Sequence, residues 1–262
     1  MKRYLTLYYH FFLFSLVSRM EYRFDFVMSA LRSLGWVGVT IITYTVLFSQ
    51  TPNIAGWSKE EVLVLFGIFM IIDESWNAFF SDNLVRLSDY VRLGELDHIL
   101  LLPLSTQFFV SLRHVLIFTL PNIVIGFCVT GYFLTKLSLD ISWWQYLLTA
   151  FLAFNGLILL YSLMLLLVTS TFWIVQLRAF WDLYNVMTYG AKYPISFYQN
   201  PLHFLFLFIV PLGVVFTFPA EFLVKGLSWE LVFLSFALGI GFFFISHKFF
   251  YFGLKHYNSA SS

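Results

Sequence analysis

"WWQYLLTAFLAFNGLILLYSLMLLLV", residues 143–168, carries no charged side chain over 26 positions. As an α-helix it would extend roughly 39 Å at about 1.5 Å per residue, enough to cross a hydrocarbon layer of about 30 Å. It therefore reads as a transmembrane helix. Outward from it, further apolar runs of spanning length occupy 26–48, 61–80, 106–134 and 229–252. The composition agrees: 60% of the 262 residues are hydrophobic, 22% aromatic and 11% charged, against about 25% charged in an average soluble domain. There is too little polar surface to cover a globule, so the chain is an all-α integral membrane protein forming a single domain, 1–262. Its net charge of +1 provides no global field for nucleic acid. The single cysteine, Cys128, excludes an intramolecular disulfide and any multi-cysteine metal site, and reads as a small core residue.

The beginning resembles a secretory signal, because Lys2 and Arg3 precede an apolar stretch, 4–17. No small-residue cleavage site follows, and Arg19, Glu21, Arg23 and Asp25 come instead. The stretch is too short to span, so 1–25 is expected to be a helix lying in the membrane interface. Between 172 and 226 the pattern is broken by Pro194, Pro201, Pro211 and Pro219. One reading makes 172–195 the fifth span, followed by a re-entrant helical hairpin within the external segment 196–227. Prolines strip backbone donors, which is tolerable at membrane depth only where protein or a cavity supplies partners. The other reading lays 176–199 in the interface and makes 202–223 the span. Either gives six transmembrane helices.

In the first topology Lys2, Arg3, Arg19, Arg23, Arg32, Arg86, Arg92, Arg113, Arg178, Lys248 and Lys255 gather on one side. Lys59, Lys136, Lys192 and Lys225 lie on the other. Eleven of the 15 basic residues thus put both termini in the cytoplasm. Trp57, Trp143, Trp144 and Trp229 mark the outer boundary as interfacial anchors.

"VRLGELDHILLLPLS", residues 91–105, then falls in a cytoplasmic loop, 82–105, between the second and third spans. Gly94 permits a sharp turn, Leu96, Ile99, Leu100 and Leu102 form an apolar stripe, and Pro103 opens the third span. The loop is either a tight solvated turn or a docking helix for a groove on a soluble partner.

The stretches "AGWSKEEVLVLFG" (55–67) and "AKYPISFY" (191–198), in order with this loop, resemble the ABC-2-type permeases of ATP-binding cassette transporters, specifically the small exporter permeases. The resemblance covers nearly the whole chain. It implies that the loop helix receives motion from a separate cytoplasmic ATPase, with Gly94, Glu95, Leu96, Asp97, His98, Ile99 and Leu100 as the contact. It further implies two ATPase copies, a second permease, identical or related, and a place in the bacterial cytoplasmic (inner) membrane among its lipids. The chain has no G-x-x-x-x-G-K-[ST] loop, so ATP would be bound by the partner and no cofactor by this chain. Nor has it H-E-x-x-H or G-x-S-x-G, and the expectation is a transport permease without catalytic activity. His10, His203, His247 and His256 lie near predicted boundaries and read as interfacial amphipaths.

Charges within the predicted spans are the remaining candidates. At about 1.5 Å per residue, Arg32 lies ~9 Å into the first span, Asp73 and Glu74 ~10 to 13 Å into the second, and Arg113 ~10 Å into the third. A lone charge at helix centre costs about 2.5 to 3.5 kcal/mol, so these four are expected to form an ion-pair network or to line a transport path or gate. Arg178 and Asp182, four apart, form a local pair or touch the ATPase or the interfacial helix. A rival reading makes Asp73 and Glu74 the coupling site of an ion- or proton-driven secondary transporter or channel; a third takes Asp73, Glu74, Asp82 or His114 as acid or base of a membrane enzyme.

Overall fold

Val62 to Met70 are buried on every face of their helix, the mark of an element enclosed by others. That helix is the axis of the molecule. The computed structural model describes residues 2–20, 23–174 and 179–257. Among them the regular structure is helical apart from one isolated bridge between Ile54 and Trp57. The first helices are α1 (Lys2–Met20) and α2 (Arg23–Gln50). The axis, α3 (Lys59–Trp76), continues through a π-helical turn (Asn77–Ser81) into α4 (Asp82–Arg92). Next come α5 (Leu96–Leu100), α6 (Thr106–Leu112), α7 (Leu120–Leu137), α8 (Trp143–Thr169) and α9 (Ala179–Gly190). A pair bent by 74° follows, α10 (Leu202–Ile209) and α11 (Gly213–Val224), and α12 (Trp229–Lys255) ends the fold.

Among the described residues five helices are long and apolar enough to cross a membrane, or six if the bent pair is one span. Of the spanning windows, that of α3–α4 is 67% buried and those of α2 and α12 only 17% and 22%. The latter two therefore border whatever surrounds the chain. Cys128, expected inside, is exposed on α7.

Local chemistry starts the helices. Ser58 caps α3 in a reciprocal box with Glu61 (Glu61 N–H to Ser58 Oγ 3.3 Å, Ser58 N–H to Glu61 Oε2 2.8 Å), and the Gln145 side chain accepts from the Ser142 N–H at 2.7 Å ahead of α8. Packing then depends on close backbone approach. α7 runs antiparallel to α3 so closely that a Cβ on Gly67 would stand 2.8 Å from the Thr130 backbone nitrogen. α8 and α12 run parallel, joined where Asn155 Nδ2, midway along α8, donates to the Ser235 carbonyl (2.9 Å) and hydroxyl (3.0 Å) in the second turn of α12.

The expected third span, 106–134, is corrected. It is two pieces: α6 folds against α4, the chain unwinds over 113–116, and the run long enough to span is Ile117–Leu137. Unwinding frees backbone donors, and each has a partner: Asn83 Oδ1 accepts from the His114 N–H (2.8 Å), Ser15 Oγ from Val115 (3.1 Å) and the Ala78 carbonyl from Leu116 (2.9 Å). A break at this depth is tolerable because the protein itself satisfies it. Pro121, in the first turn of α7, is the local signal for the new start.

At the α3 N-terminal end the two quoted motifs meet. Ser196 Oγ donates to the Ala55 carbonyl (3.3 Å), and Lys225 Nζ donates to the Gly56 carbonyl (2.5 Å) and lies 3.4 Å from Glu61. Lys225 also stands 4.3 Å from the Trp57 ring centre. Trp57 is thus buried at 2% exposure, a correction to its expected role as a boundary anchor, whereas Trp143, Trp144 and Trp229 are exposed.

Candidate functional site

Between α2, α3, α7 and α9 lies a cavity of about 450 Å³. Of its 15 lining side chains all but Trp36, Phe69 and Met70 are polar. Asp73 and Glu74 come from the last turn of α3, where the helix begins to widen toward its π-helical turn; Asn77 is the first residue of that turn. Such turns cost regular hydrogen bonds and recur at functional positions. Tyr184 of α9, itself buried, donates its hydroxyl to Asp73 Oδ1 at 2.5 Å, and Asn77 Nδ2 reaches Asp73 Oδ2 at 3.5 Å. Asn122 of α7 lines the cavity with Glu74, and its own Oδ1 has no hydrogen-bond partner.

Arg32 lines the same cavity, but no ion pair within 4.0 Å joins it to either acid among the described residues. A nearby cation is Lys192, assigned to the external side by the sequence reading, and it lines the same cavity. Its ammonium lies 4.2 Å from the Tyr189 ring centre and 4.7 Å from that of Trp36. Tyr44 holds its carbonyl at 2.9 Å. The turn after Gly190 thus folds Lys192 back toward the acids, which linear counting of depth cannot foresee.

Arg113 does not join the set. It is exposed in the break after α6, 4.7 Å from the Phe109 ring centre. Asp182 is exposed on α9, and Arg178 lies outside the described residues. Asp82 pairs with Arg86 at 2.9 Å, and neither Asp82 nor His114 lines the cavity. Among the described residues no group of three or more His, Cys, Asp or Glu is placed to hold a metal ion.

A double-mutant cycle separates these partnerships. Asp73→Asn with Tyr184→Phe is expected to show a coupling of about 1.5 kcal/mol, the scale of a hydrogen bond to a charged group, whereas Asp73→Asn with Arg32→Gln should couple by less than about 0.5 kcal/mol. Thermal unfolding of the four variants in each cycle measures both.

The turn after α4 is the second feature. Gly94 adopts φ +70°, a conformation that side chains rarely take, and α5 follows at once. The apolar stripe expected here divides in two. Leu96 and Ile99 are buried against the chain's own helices, while Leu93, Leu100, Leu101 and Leu102 face outward beside Glu95 and His98, Leu101 at 82% exposure. Pro103 does not open a helix; Ser105 caps α6 instead, accepting from the Phe108 N–H at 3.4 Å. The turn is tied to α1, for Arg3 donates to the Pro103 carbonyl (3.0 Å) and the Tyr4 hydroxyl accepts from the Ser105 N–H (3.2 Å).

An outward leucine cluster on a five-residue helix, at one end of a polytopic bundle, accompanies a family match. Residues 34–261 fit the model for ABC-2 family transporter proteins. The chain belongs to the ABC-2 transporter family. No curated protein and no solved structure matches it. As an ABC-2 transporter protein it is a multi-pass membrane component of transport and not itself the catalytic part, and the family generally works with an ATPase partner. Within this ABC-2 chain the two features occupy different places: the cavity lies among the spanning helices, and the leucine turn at the end of α4.

Proposed function

We propose that the chain is the permease subunit of an ATP-driven exporter in the bacterial inner membrane, paired with a second permease and powered by two copies of a cytoplasmic ATPase. The outward set Leu93, Leu100, Leu101 and Leu102 carries this reading. An apolar patch on a charged turn is a surface awaiting a groove, and family membership names the kind of partner. Leu96 and Ile99, buried behind it, make the turn a rigid lever on α4. Because α4 continues into α3 through Asn77–Ser81, a tilt imposed at the turn would reach Asp73 and Glu74.

In this topology both termini and the turn are cytoplasmic, and α1 lies in the interface, clasping the turn through Arg3 and Tyr4. The segment from Ser196 to Lys225 is a re-entrant hairpin. Its support is that both ends bond to the 55–56 turn and that α10 and α11 bend by 74° between them. The cavity is then part of the transport path, its acids and cations exchanging partners as the helices tilt. Its occupant is amphipathic, since polar groups gather there within an otherwise apolar bundle.

Tagging the C-terminus, extracting gently from the native membrane and identifying companions by mass spectrometry tests this. Recovery of an ATP-binding subunit, with solute movement in vesicles that requires ATP, is expected. A chain that purifies alone and moves solute down a pH or ion gradient without ATP would overturn it in favour of secondary transport through Asp73 and Glu74.

A further inference from the structure

Helices joined by a short link normally pack against one another. α7 and α8 are joined by residues 138–142 alone, yet both lean on α3 and make no extended contact with each other. The gap is a furrow of about 450 Å³, floored by Ile68, Ile71 and Ile72 and kept open by the small side chains of Ala150 and Ala153. Phe154 and Leu157 also line a second, adjoining cavity of about 360 Å³ between α8, α6 and α12. From Tyr146 to Tyr161 along α8 the two adjoining cavities together extend about 23 Å, well beyond the midplane of a hydrocarbon layer about 30 Å thick. Phe127 and Phe154 on the furrow's rim are exposed, so it opens sideways.

Most of its lining is apolar: the hydroxyls of Ser75 and Thr130 are bonded to the Ile71 and Gly126 carbonyls of their own helices, and Tyr146 and Thr149 are the other polar side chains until the end nearest the 93–105 turn. There Gln107 Nε2 donates to the Tyr161 hydroxyl (2.9 Å), Ser111 joins that hydroxyl (2.8 Å), and His247 Nδ1 meets Gln107 Oε1 (2.6 Å). The amide oxygen only accepts, so Nδ1 carries a proton toward it, and Nε2 has no hydrogen bond of its own among the described residues. One end of a long apolar furrow thus holds a polar group turned outward.

We propose that this furrow binds a membrane lipid: one extended hydrocarbon tail lies between α7 and α8, and the polar head sits at Gln107 and His247. Water finds few partners along walls that are mostly aliphatic and aromatic, and the surrounding bilayer supplies tails at high concentration. The hydrogen-bonded cluster of Gln107, Ser111, Tyr161 and His247 orients the lipid, head at that end and one of its tails along the furrow. The site is separate from the polar cavity and does not depend on the exporter reading.

The complex as it is extracted, reconstituted in vesicles containing phosphatidylethanolamine with a photoactivatable group at the tail terminus, provides the test. After irradiation, labelled peptides are expected to concentrate on the furrow faces of α3, α7 and α8. Ala153→Trp, which fills the furrow, should cut that labelling at least about fivefold while labelling of the outward face of α2 is unchanged; Ala150→Phe serves if that variant does not fold. His247→Ala should lower it about threefold. Labelling spread evenly over α2, α7 and α12, or indifferent to both filling variants, would overturn the proposal. So would a disulfide between two copies carrying Ala150→Cys in a Cys128→Ser background, which would make the furrow an interface between chains.

Discussion

Leu101→Glu is expected to weaken ATPase binding by roughly 100-fold while leaving the amount of folded permease in the membrane unchanged. At 82% exposure the side chain contributes little to its own fold, so the substitution acts on the partner surface. A carboxylate pressed into an apolar groove without a counter-charge costs about 3 kcal/mol, about two decades in affinity. Leu96→Glu, at the start of α5 and fully buried, should instead destroy the permease itself. Gly94→Pro tests the same lever through its backbone. Proline cannot take φ +70°, and it removes the N–H that donates to the Val91 carbonyl at 3.4 Å. Pull-down with the purified ATPase, beside size-exclusion profiles of the permease alone, distinguishes these results. Undiminished ATPase binding by both Leu101→Glu and Gly94→Pro would remove the turn as the coupling element.

One substitution at two glycines should have opposite signs. At Gly156 on α8 an added Cβ would stand 2.6 Å from the Val215 carbonyl oxygen and 3.2 Å from its Cα. Those are backbone atoms of α11, held among buried residues, and they have nowhere to go. Gly156→Ala is therefore expected to destabilise by about 2 kcal/mol or more. At Gly38 on α2 nothing lies within 4 Å of the same position. Gly38→Ala should stabilise by roughly 0.5 kcal/mol, the gain from replacing a mid-helix glycine. Thermal unfolding in detergent measures both, and a stabilised Gly156→Ala would mean that α8 and α11 do not pack as described. If Gly38→Ala alone loses function, a second chain must cover that face of α2.

The expected spans differ in how well they match the fold, and the differences have causes. Residues 143–168 and 229–252 fall within α8 and α12 because each is apolar from end to end, with no proline and few charges. The run 106–134 is as apolar, but Asn83, Ser15 and Ala78, distant in sequence, take up the donors of a broken helix there. Two signals near it were readable, Pro121 in the first turn of α7 and the Ser105 cap ahead of α6. The serine caps at Ser58 and Ser142, each with a Glu or Gln three residues on, likewise mark the starts of α3 and α8.

For the cavity, depth counting brought Arg32, Asp73 and Glu74 to one level, and all three line it. It also brought Arg113, which the break after α6 turns away toward Phe109. Lys192 and Tyr184, which line the cavity with Asp73, carry no local signal, since their approach depends on how α9 and the turn after it sit against α2 and α3. The leucines of residues 91–105 show the same limit. Period and polarity name a short helix, but which leucines face inward depends on the angle at Gly94 and on what α4 and α6 leave open.

By itself, then, the sequence determined that the chain crosses a membrane several times and belongs with the ABC-2 permeases. Crossing is a property of each segment alone, set by apolar length against the thickness of the bilayer. The tertiary structure alone decided where the third span breaks, that Lys192 rather than Arg113 accompanies the acids, which leucines are offered outward, and that α7 and α8 stand apart to leave a furrow. These depend on the rotation and contact of helices far apart in sequence, and a one-dimensional pattern of polarity does not encode a rotation angle.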